Sequence, residues 1–481
     1  MKLLLLNPYF NRKIFAPTLG LGFMATFLRD SINCDVEVKE PVHQELNEPE
    51  LLEKIRTIDY LGLTCYTESR FQCFDFAKKA KEINPKCQII VGGPHVMPLD
   101  KKILEHYPFV DFVVRGEAEL AMKDILSKAP SENIAGITWR RGQKIIRNSN
   151  QTLKKCIDQF YLDYSLIYPE IENWKDKEVP YELQLEKHLP IISSRGCPFR
   201  CKFCASNNQW DGLWRAYSPE KLVEELAFLV EKYKIKYFRF YDALFIGNNS
   251  QLFKFCDLLE KRNLDIKFRI DIRVGTDQEV LRRLRQVGCC VVGFGVETGS
   301  DRILKRINKG ITRKQIEETI KICKSLDYWM LGFFMVSLPD ETQEDFEKTA
   351  ELFKYFNFFN LQFFKLHPNT AFYEELKNRG EINDEIWFNR EYGEEIFYSK
   401  ELFPSANFYR QKVENNVHYF YLIGYISKPF NTLKLFGLFK GLLKIIMSLM
   451  QLLIIRNKTL EKLLKRAKEN KLARSIKSRL F

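Results

Sequence analysis

SRGCPFRCKFC, residues 194–204, places Cys197, Cys201 and Cys204 at C-x3-C-x2-C spacing. Three thiolates on one short loop can hold three irons of a 4Fe-4S cluster and leave the fourth iron open to a ligand. A closed structural zinc site takes four ligands, and no His or Cys follows nearby to supply the fourth. Phe203, between the last two cysteines, is suited to packing against a flat adenine ring.

Outward from this loop the chain alternates strand and helix patterns. IISSRG feeds the loop as a strand. Ser218-Pro219-Glu220 opens a helix with a cap residue and Pro in its first turn. KYFRFYDALF, IKFRIDIRV, CVVGFGVETGS, YWMLGFFMVSLPDET and NLQFFKLHP read as five further strands with their loops. Capping boxes at Thr276–Glu279 and Thr312–Gln315 start the helices between them. Six βα units predict a partial (β/α)6 TIM barrel, with active residues at the C-terminal ends of its strands.

Those ends carry the turns of a known family. Phe240-Tyr241-Asp242-Ala243-Leu244-Phe245 matches an F-x-D-x-x-F turn, and Arg273 matches an arginine ending the third strand. Gly295-Val296-Glu297-Thr298-Gly299-Ser300 matches G-x-E-S-G with Thr for Ser, followed by Asn308-Lys309-Gly310. Leu338-Pro339-Asp340-Glu341-Thr342 matches G-x-P-G-E-T with Asp at the second Gly. With the cysteine loop, this segment resembles the radical S-adenosylmethionine (SAM) superfamily, in its cobalamin-linked branch. The resemblance implies that Cys197, Cys201 and Cys204 ligate the cluster. It implies that SAM chelates the open iron and is reductively cleaved to a 5′-deoxyadenosyl radical. It makes Phe203, Asp242, Arg273 and Glu297 the candidate SAM contacts, and their charges suit a zwitterion with ribose hydroxyls.

Residues 1–127 form a second βα series. KLLLLNP, DVEVKE, YLGLTCYT, CQIIVGGPH and VDFVVRGEAE alternate with helical patterns, which predicts a doubly wound parallel sheet. Ligands of such sheets sit beyond the carboxyl ends of the strands. There lie Asn7-Pro8, Thr64-Cys65-Tyr66, Gly92-Gly93-Pro94-His95 and Arg115-Gly116-Glu117. Together with Ala16-Pro17-Thr18-Leu19-Gly20-Leu21, a partial match to P-x-x-L-G-L, these turns resemble the Rossmann-like cobalamin-binding domain found in many radical SAM enzymes. The resemblance implies bound cobalamin, with Thr64, Gly92, Gly93, His95, Gly116 and Glu117 as contacts. No D-x-H-x-x-G occurs in the chain, so cobalt receives no axial histidine from that motif. The alternative is a fold that persists without cobalamin, since fold does not fix function.

The 481 residues suggest two or three domains, and 45% hydrophobic with 28% charged residues is ordinary for a soluble protein. The expected boundaries are 1–127, a linker at 128–184, the barrel at 185–375, a helical extension at 376–427 and a tail at 428–481. His188, just before the cluster strand, reads as a packing or surface residue. Met1-Lys2 leads straight into a strand pattern with no signal-peptide pattern, and free thiols with an oxygen-sensitive cluster fit a cytoplasmic setting. The nine cysteines outside the loop show no second C-x-x-C and read mostly as small buried hydrophobes.

Residues 428–481 carry fourteen Lys and Arg against Glu461 and Glu469, nearly all of the net charge of +13. The basic character is therefore a property of the tail, not a nucleic-acid surface on the catalytic body. The longest uncharged apolar run there is the eleven residues Ile445–Ile455, too short for a span of about 20. It predicts an interfacial amphipathic helix, peripheral on the inner face of a membrane, with a basic segment suited to anionic lipid. The alternative is a core-docking helix with a solvated basic end.

The expected function is a cobalamin-dependent radical SAM enzyme. The resemblance implies carbon methylation through methylcobalamin, or an oxidative cyclisation as in anaerobic porphyrin ring closure. The tail points to a lipid, isoprenoid or other hydrophobic small-molecule substrate. A reductase, flavodoxin or ferredoxin would be the electron donor. The alternatives are a methylthiotransferase, which normally needs a second cluster held by three N-terminal cysteines, and a non-catalytic membrane-attached scaffold.

Overall fold

The computed structural model describes residues 1–9, 17–40, 46–168 and 188–393, with single positions 44, 171, 395, 396 and 398. The chain opens with β1 (Lys2–Leu6), a run of four leucines. A strand points successive side chains to opposite faces. Leu3 and Leu5 therefore enter one apolar layer, and Leu4 and Leu6 the other. β2 (Asp35–Lys39), β3 (Tyr60–Thr64), β4 (Gln88–Gly92) and β5 (Phe112–Val114) join it in the order β2-β1-β3-β4-β5, all parallel. Helices α1 (Leu19–Ile32), α2 (Glu48–Ile55), α3 (Arg70–Ile83), α4 (Asp100–His106) and α5 (Ala118–Leu126) connect and follow these strands. Strand order reverses at β1 and β3, where a doubly wound sheet opens its ligand crevice.

One expected boundary shifts. The hairpin-like stretch after residue 128 does not act only as a connector. Its strands β6 (Ile137–Arg141) and β7 (Lys144–Arg147) extend the same sheet antiparallel to β5. β5 spans only three residues, and the two-residue turn at Gly142-Gln143 matches the length that suits a tight hairpin. The buried Arg115 guanidinium fixes the added edge by donating to the Ile137 carbonyl at 3.1 Å.

The second sheet is the expected partial barrel. β8 (Leu189–Ile191) feeds the cysteine loop. β9 (Ser194–Arg195) and β10 (Arg215–Ala216) then form a short antiparallel pair, with α6 (Ser206–Trp210) between them. β11 (Tyr237–Phe240), β12 (Lys267–Ile272), β13 (Cys289–Glu297), β14 (Trp329–Val336) and β15 (Phe358–Phe363) follow. The sheet order β8-β11-β12-β13-β14-β15 is sequential and parallel throughout. Its helices are α7 (Pro219–Tyr233), α8 (Asn249–Arg262), α9 (Gln278–Gln286), α10 (Asp301–Arg306), α11 (Arg313–Ser325) and α12 (Gln343–Phe353). Thr312 and Gln315 form the predicted capping box on α11. On α9 the cap moves one residue along, and the Asp277 carboxylate accepts from the Glu279 and Val280 amides.

Beyond the barrel, α13 (Ala371–Asn378) and the turn around Trp387 pack onto the first sheet's helical layer. Trp387 and Tyr373 are fully buried. The buried Arg70 donates to the Trp387 carbonyl at 2.9 Å and to the Thr67 carbonyl at 2.8 Å. Of the cysteines outside the loop, Cys34, Cys65, Cys73, Cys87, Cys256, Cys289 and Cys323 are buried, and Cys156 is exposed. No helix among the described residues is long and apolar enough to cross a membrane. The tail at 428–481 and its amphipathic pattern lie outside the described residues.

Candidate active site

The cysteine loop begins where β8 and β9 pass the end of β11. Asp242, just beyond β11, is buried there. Its carboxylate accepts from the Ser193 amide at 2.8 Å and from the Ser193 and Ser194 hydroxyls at 3.0 and 2.9 Å, as well as from the Ser194 amide. Burial pushes this carboxyl up to about 6, against those hydrogen bonds, which pull it down. Four accepted bonds fill most of a carboxylate's acceptor sites. Asp242, read from sequence as a SAM contact, thus braces the strand entering the loop.

The loop itself is held from below by the turn after α10. The Lys202 amide donates to the Ile307 carbonyl at 2.9 Å, and the Asn308 side chain donates to the Arg200 carbonyl at 2.8 Å. Arg273 donates to the Lys309 carbonyl, and its guanidinium lies 3.6 Å from the Phe199 ring centroid. Lys309 pairs with Glu297 at 2.7 Å in a nearly dry setting, and its ammonium lies 5.8 Å from the Phe203 ring centroid. Glu297 sits at φ +66° beside a register shift in β13. A Cβ on Gly295 would come within 2.8 Å of the Lys309 Nζ and 2.9 Å of the Glu297 Oε1, so a side chain there would displace the pair. Lys309 was noted from sequence only as part of the Asn-Lys-Gly run.

Cys201 is buried, and Cys197 and Cys204 are half-buried. Burial pushes the Cys201 thiol up, while Lys309 and Arg273 pull it back. Burial likewise raises Cys197, opposed first by the Phe199 amide donating to its sulfur. Two fixed cations and a backbone donor beside the thiols suit a site that must carry thiolate charge and hydrogen-bonded sulfurs. No group of three or more His, Cys, Asp or Glu among the described residues is arranged to hold a single metal ion. Three thiols can take three corners of a cluster, whereas a closed zinc centre asks for a fourth ligand.

Above the loop a cavity of about 740 Å³ opens between the two sheets. Its volume falls within the range of cofactor pockets, roughly 300–1,000 Å³. Asn7, Thr64, Tyr66, Gly92, Gly93, Gly116 and Glu117 line it from the first sheet. Ile192, Ser194, Arg195, Gly196, Trp210 and Tyr241 line it from the barrel side. Gly93, at φ +102°, lies so near the end of β3 that a Cβ would sit 2.7 Å from the Cys65 carbonyl oxygen. At Gly20 and Gly116 a Cβ would meet nothing within 4 Å, so both leave room for an occupant. The buried Asn7 Oδ1 lacks a hydrogen-bond partner among the described residues. Beside it, burial raises the Glu40 carboxyl to about 7, against hydrogen bonds from Thr18 and Asn7. A large crevice with close backbone approach and an orphaned polar atom on its wall fits cobalamin.

His95, a candidate cobalamin contact by sequence, does not line the cavity. Its ring is buried 3.2 Å from the Thr67 hydroxyl and packs edge-on against Trp387, at 5.7 Å between centroids. Burial drives its pKa well below the ordinary histidine value. The turn that brings Gly92 and Gly93 to the cavity carries His95 inward behind it. His188 is likewise buried, and burial next to Arg239 and Arg269 lowers it to about 3, so it is a packing histidine.

The radical SAM superfamily model matches residues 191–353, and the B12 binding domain model matches residues 11–126. An uncharacterized methyltransferase of Pyrococcus horikoshii is 32% identical over 345 residues, covering 70% of this chain and 73% of the relative. The chain belongs to the radical SAM superfamily, in its cobalamin-binding branch. An anaerobic magnesium-protoporphyrin IX monomethyl ester cyclase of Cereibacter sphaeroides is 26% identical over 393 residues, covering 78% of this chain and 62% of the cyclase. Among solved structures, the cobalamin-dependent radical enzyme OxsB, with aqua-cobalamin and SAM bound, aligns with a TM-score of 0.70 at 16% identity. That alignment covers 97% of this chain and 75% of OxsB, and shows the shared fold. This radical SAM chain is thus an enzyme whose cofactors are a 4Fe-4S cluster, SAM and cobalamin, and it acts on a small molecule.

Proposed function

We propose that this chain is a carbon methyltransferase for a hydrophobic small molecule that resides in or at a membrane. The observation that carries the reading is the cavity, whose wall combines the glycine turns of the first sheet with the strand that enters the cysteine loop. The methyltransferase relative at 32% identity supports methyl transfer. The cyclase relative at 26% identity favours oxidative ring closure as the second reading.

When bound, the cluster and SAM supply a 5′-deoxyadenosyl radical able to abstract an unactivated hydrogen, and cobalamin supplies a methyl group. The chain's own residues position these groups and exclude water. In this assignment Cys197, Cys201 and Cys204 hold the cluster, and Asp242 fixes the strand entering their loop. Arg273 and the Lys309–Glu297 pair set the charge beside it, while Phe203 offers a flat face near the Lys309 ammonium. Thr64, Gly92, Gly93, Gly116 and Glu117 form the wall against the corrin. Membrane residence rests on the basic amphipathic pattern at 428–481, which also suggests a cytoplasmic, peripheral location. A flavodoxin, ferredoxin or reductase supplies the electron.

The test uses anaerobically reconstituted full-length protein with hydroxocobalamin, a strong reductant and SAM labelled with a trideuterated methyl group. The protein is incubated with the membrane-lipid and soluble-metabolite fractions of its host. A trideuteromethyl mass shift on a lipid-fraction compound supports the proposal. A shift only in the soluble fraction removes the membrane substrate. Formation of 5′-deoxyadenosine with a dehydrogenated, unmethylated product replaces methylation by cyclisation.

A further inference from the structure

Three side chains that bracket the cysteine loop converge on one carboxylate of the other domain. Arg195 stands two residues before Cys197, and its Nη1 lies 3.3 Å from the Glu117 Oε2. Beyond Cys204, the Trp210 indole donates to the Glu117 Oε1 at 3.2 Å. Arg215, paired with Arg195 across β9 and β10, donates to both Glu117 oxygens. Arg195 also reaches Glu119 at 2.8 Å, and its guanidinium lies over the rings of Phe160 and Phe23 at 4.8 and 5.6 Å. The side chains of Arg195 and Glu117 are each 12% exposed, and that of Arg215 is 3% exposed. Burial alone would raise the Glu117 carboxyl, but Arg215, Arg195 and Trp210 hold it below the usual carboxylate range.

The same residue lines the cavity, next to Gly116 and its open space. Both ends of the cluster loop are thus tied to a group that a cavity occupant touches. An occupant beside Gly116 lowers the local dielectric around Glu117. Ion pairs strengthen as the local dielectric falls, so the clasp on Arg195 and Arg215 tightens. A tighter clasp holds the loop that carries the thiols.

We infer that Glu117 is a positioning residue that couples the two cofactor sites, so that cobalamin in the cavity secures the iron–sulfur cluster and the cluster loop reciprocally secures cobalamin. This rests on the reading that the cavity holds cobalamin. Linkage requires the two effects to be equal in size, and site couplings of this kind are commonly fivefold or more.

The experiment measures iron release to excess chelator from anaerobic, oxidised, full-length protein, with and without saturating hydroxocobalamin. Retained cobalamin is quantified after gel filtration. Wild-type protein should lose iron about fivefold more slowly with cobalamin bound. E117Q, which keeps the shape but loses the charge, should bring that ratio near one. Cluster-free wild type should bind cobalamin more weakly than the cluster-loaded protein. A merely structural brace would raise both release rates in E117Q and leave their ratio unchanged, which would overturn the coupling. Wild type that retains cobalamin but shows no slowing also overturns it, while leaving the cavity reading intact. Wild type that retains no cobalamin removes both. If E117Q does not fold, R195K, which cannot span Glu117 and Glu119 together, carries the same readings.

Discussion

Gly196, one residue before Cys197, gives a sharp test of how the cysteine loop is built. It adopts φ +92°, and a Cβ there would lie 1.8 Å from the Leu213 carbonyl oxygen. The dihedral alone costs an alanine about 1–2 kcal/mol. Ordinary contact is about 1.5 Å longer than the distance found, so the returning segment around residue 213 must move by roughly that much. Such a shift breaks the 2.8 Å bond from the Leu213 amide to the Trp210 carbonyl and disturbs the β9–β10 pair. With about 1 kcal/mol for each of two or three hydrogen bonds, Gly196→Ala should cost roughly 3–5 kcal/mol, confined to the loop. Gly275 provides the control, because it has φ +88° but nothing within 4 Å of its Cβ position. Gly275→Ala should therefore cost only the dihedral term. The assay is iron content and charge-transfer absorbance after anaerobic reconstitution, with circular dichroism to check the barrel. G196A should retain little cluster in a folded protein, and G275A should resemble wild type. Equal cluster content in G196A and wild type, or equal loss in both variants, would refute the steric argument.

Cys201→Ala should leave the protein soluble and abolish formation of 5′-deoxyadenosine from SAM; unchanged cleavage would remove the loop from the chemistry. Asp242 contributes a pH dependence. Its folded-state value of about 6 lies above the unfolded one, so its contribution to stability is fullest at low pH and is lost as pH rises through 6. D242N should flatten this slope by about 1 kcal/mol between pH 5 and 6.5, read from urea midpoints of metal-free protein, and an unaltered slope contradicts the assignment. Truncation after Ser427 should release the protein from anionic vesicles without loss of the cluster spectrum. High salt should weaken vesicle binding of the full chain, since exposed charges are screened beyond about 8–10 Å. A truncated protein that aggregates or loses its cluster would make the tail a core-docking element.

Much of this architecture is legible in the sequence because it rests on local signals. Apolar runs and caps mark the strands and helices, and turn residues mark the strand ends that face the cavity. Thr64, Gly92, Gly93, Gly116 and Glu117 could be placed for that reason. His95 could not, since a side chain's direction out of a turn depends on what packs behind it, here Trp387 from the far end of the described chain. The hairpin at β6 and β7 is legible as a hairpin-like stretch, but its pairing with β5 is not, because a short strand does not announce that its edge will be filled. The partners of Glu117 lie 78 to 98 residues away in sequence, and those of Asp242 about 49, so no pattern of spacing reveals them. An arginine beside the cysteine loop was visible, but its meaning came only from the carboxylates it meets.

Arg70 gives the protein a schedule as well as a shape. Its guanidinium belongs to the N-terminal domain, yet one of its carbonyl partners, that of Trp387, lies 317 residues further along. At roughly 5–20 residues per second, a ribosome needs about 15–60 s to supply that carbonyl after Arg70 has been made. Throughout that interval the nascent first domain presents a cationic notch and the apolar face that Trp387 later covers. Completion of the first domain therefore waits on residues made long after it, which makes the unfinished chain a natural client for chaperones that recognise exposed apolar surface.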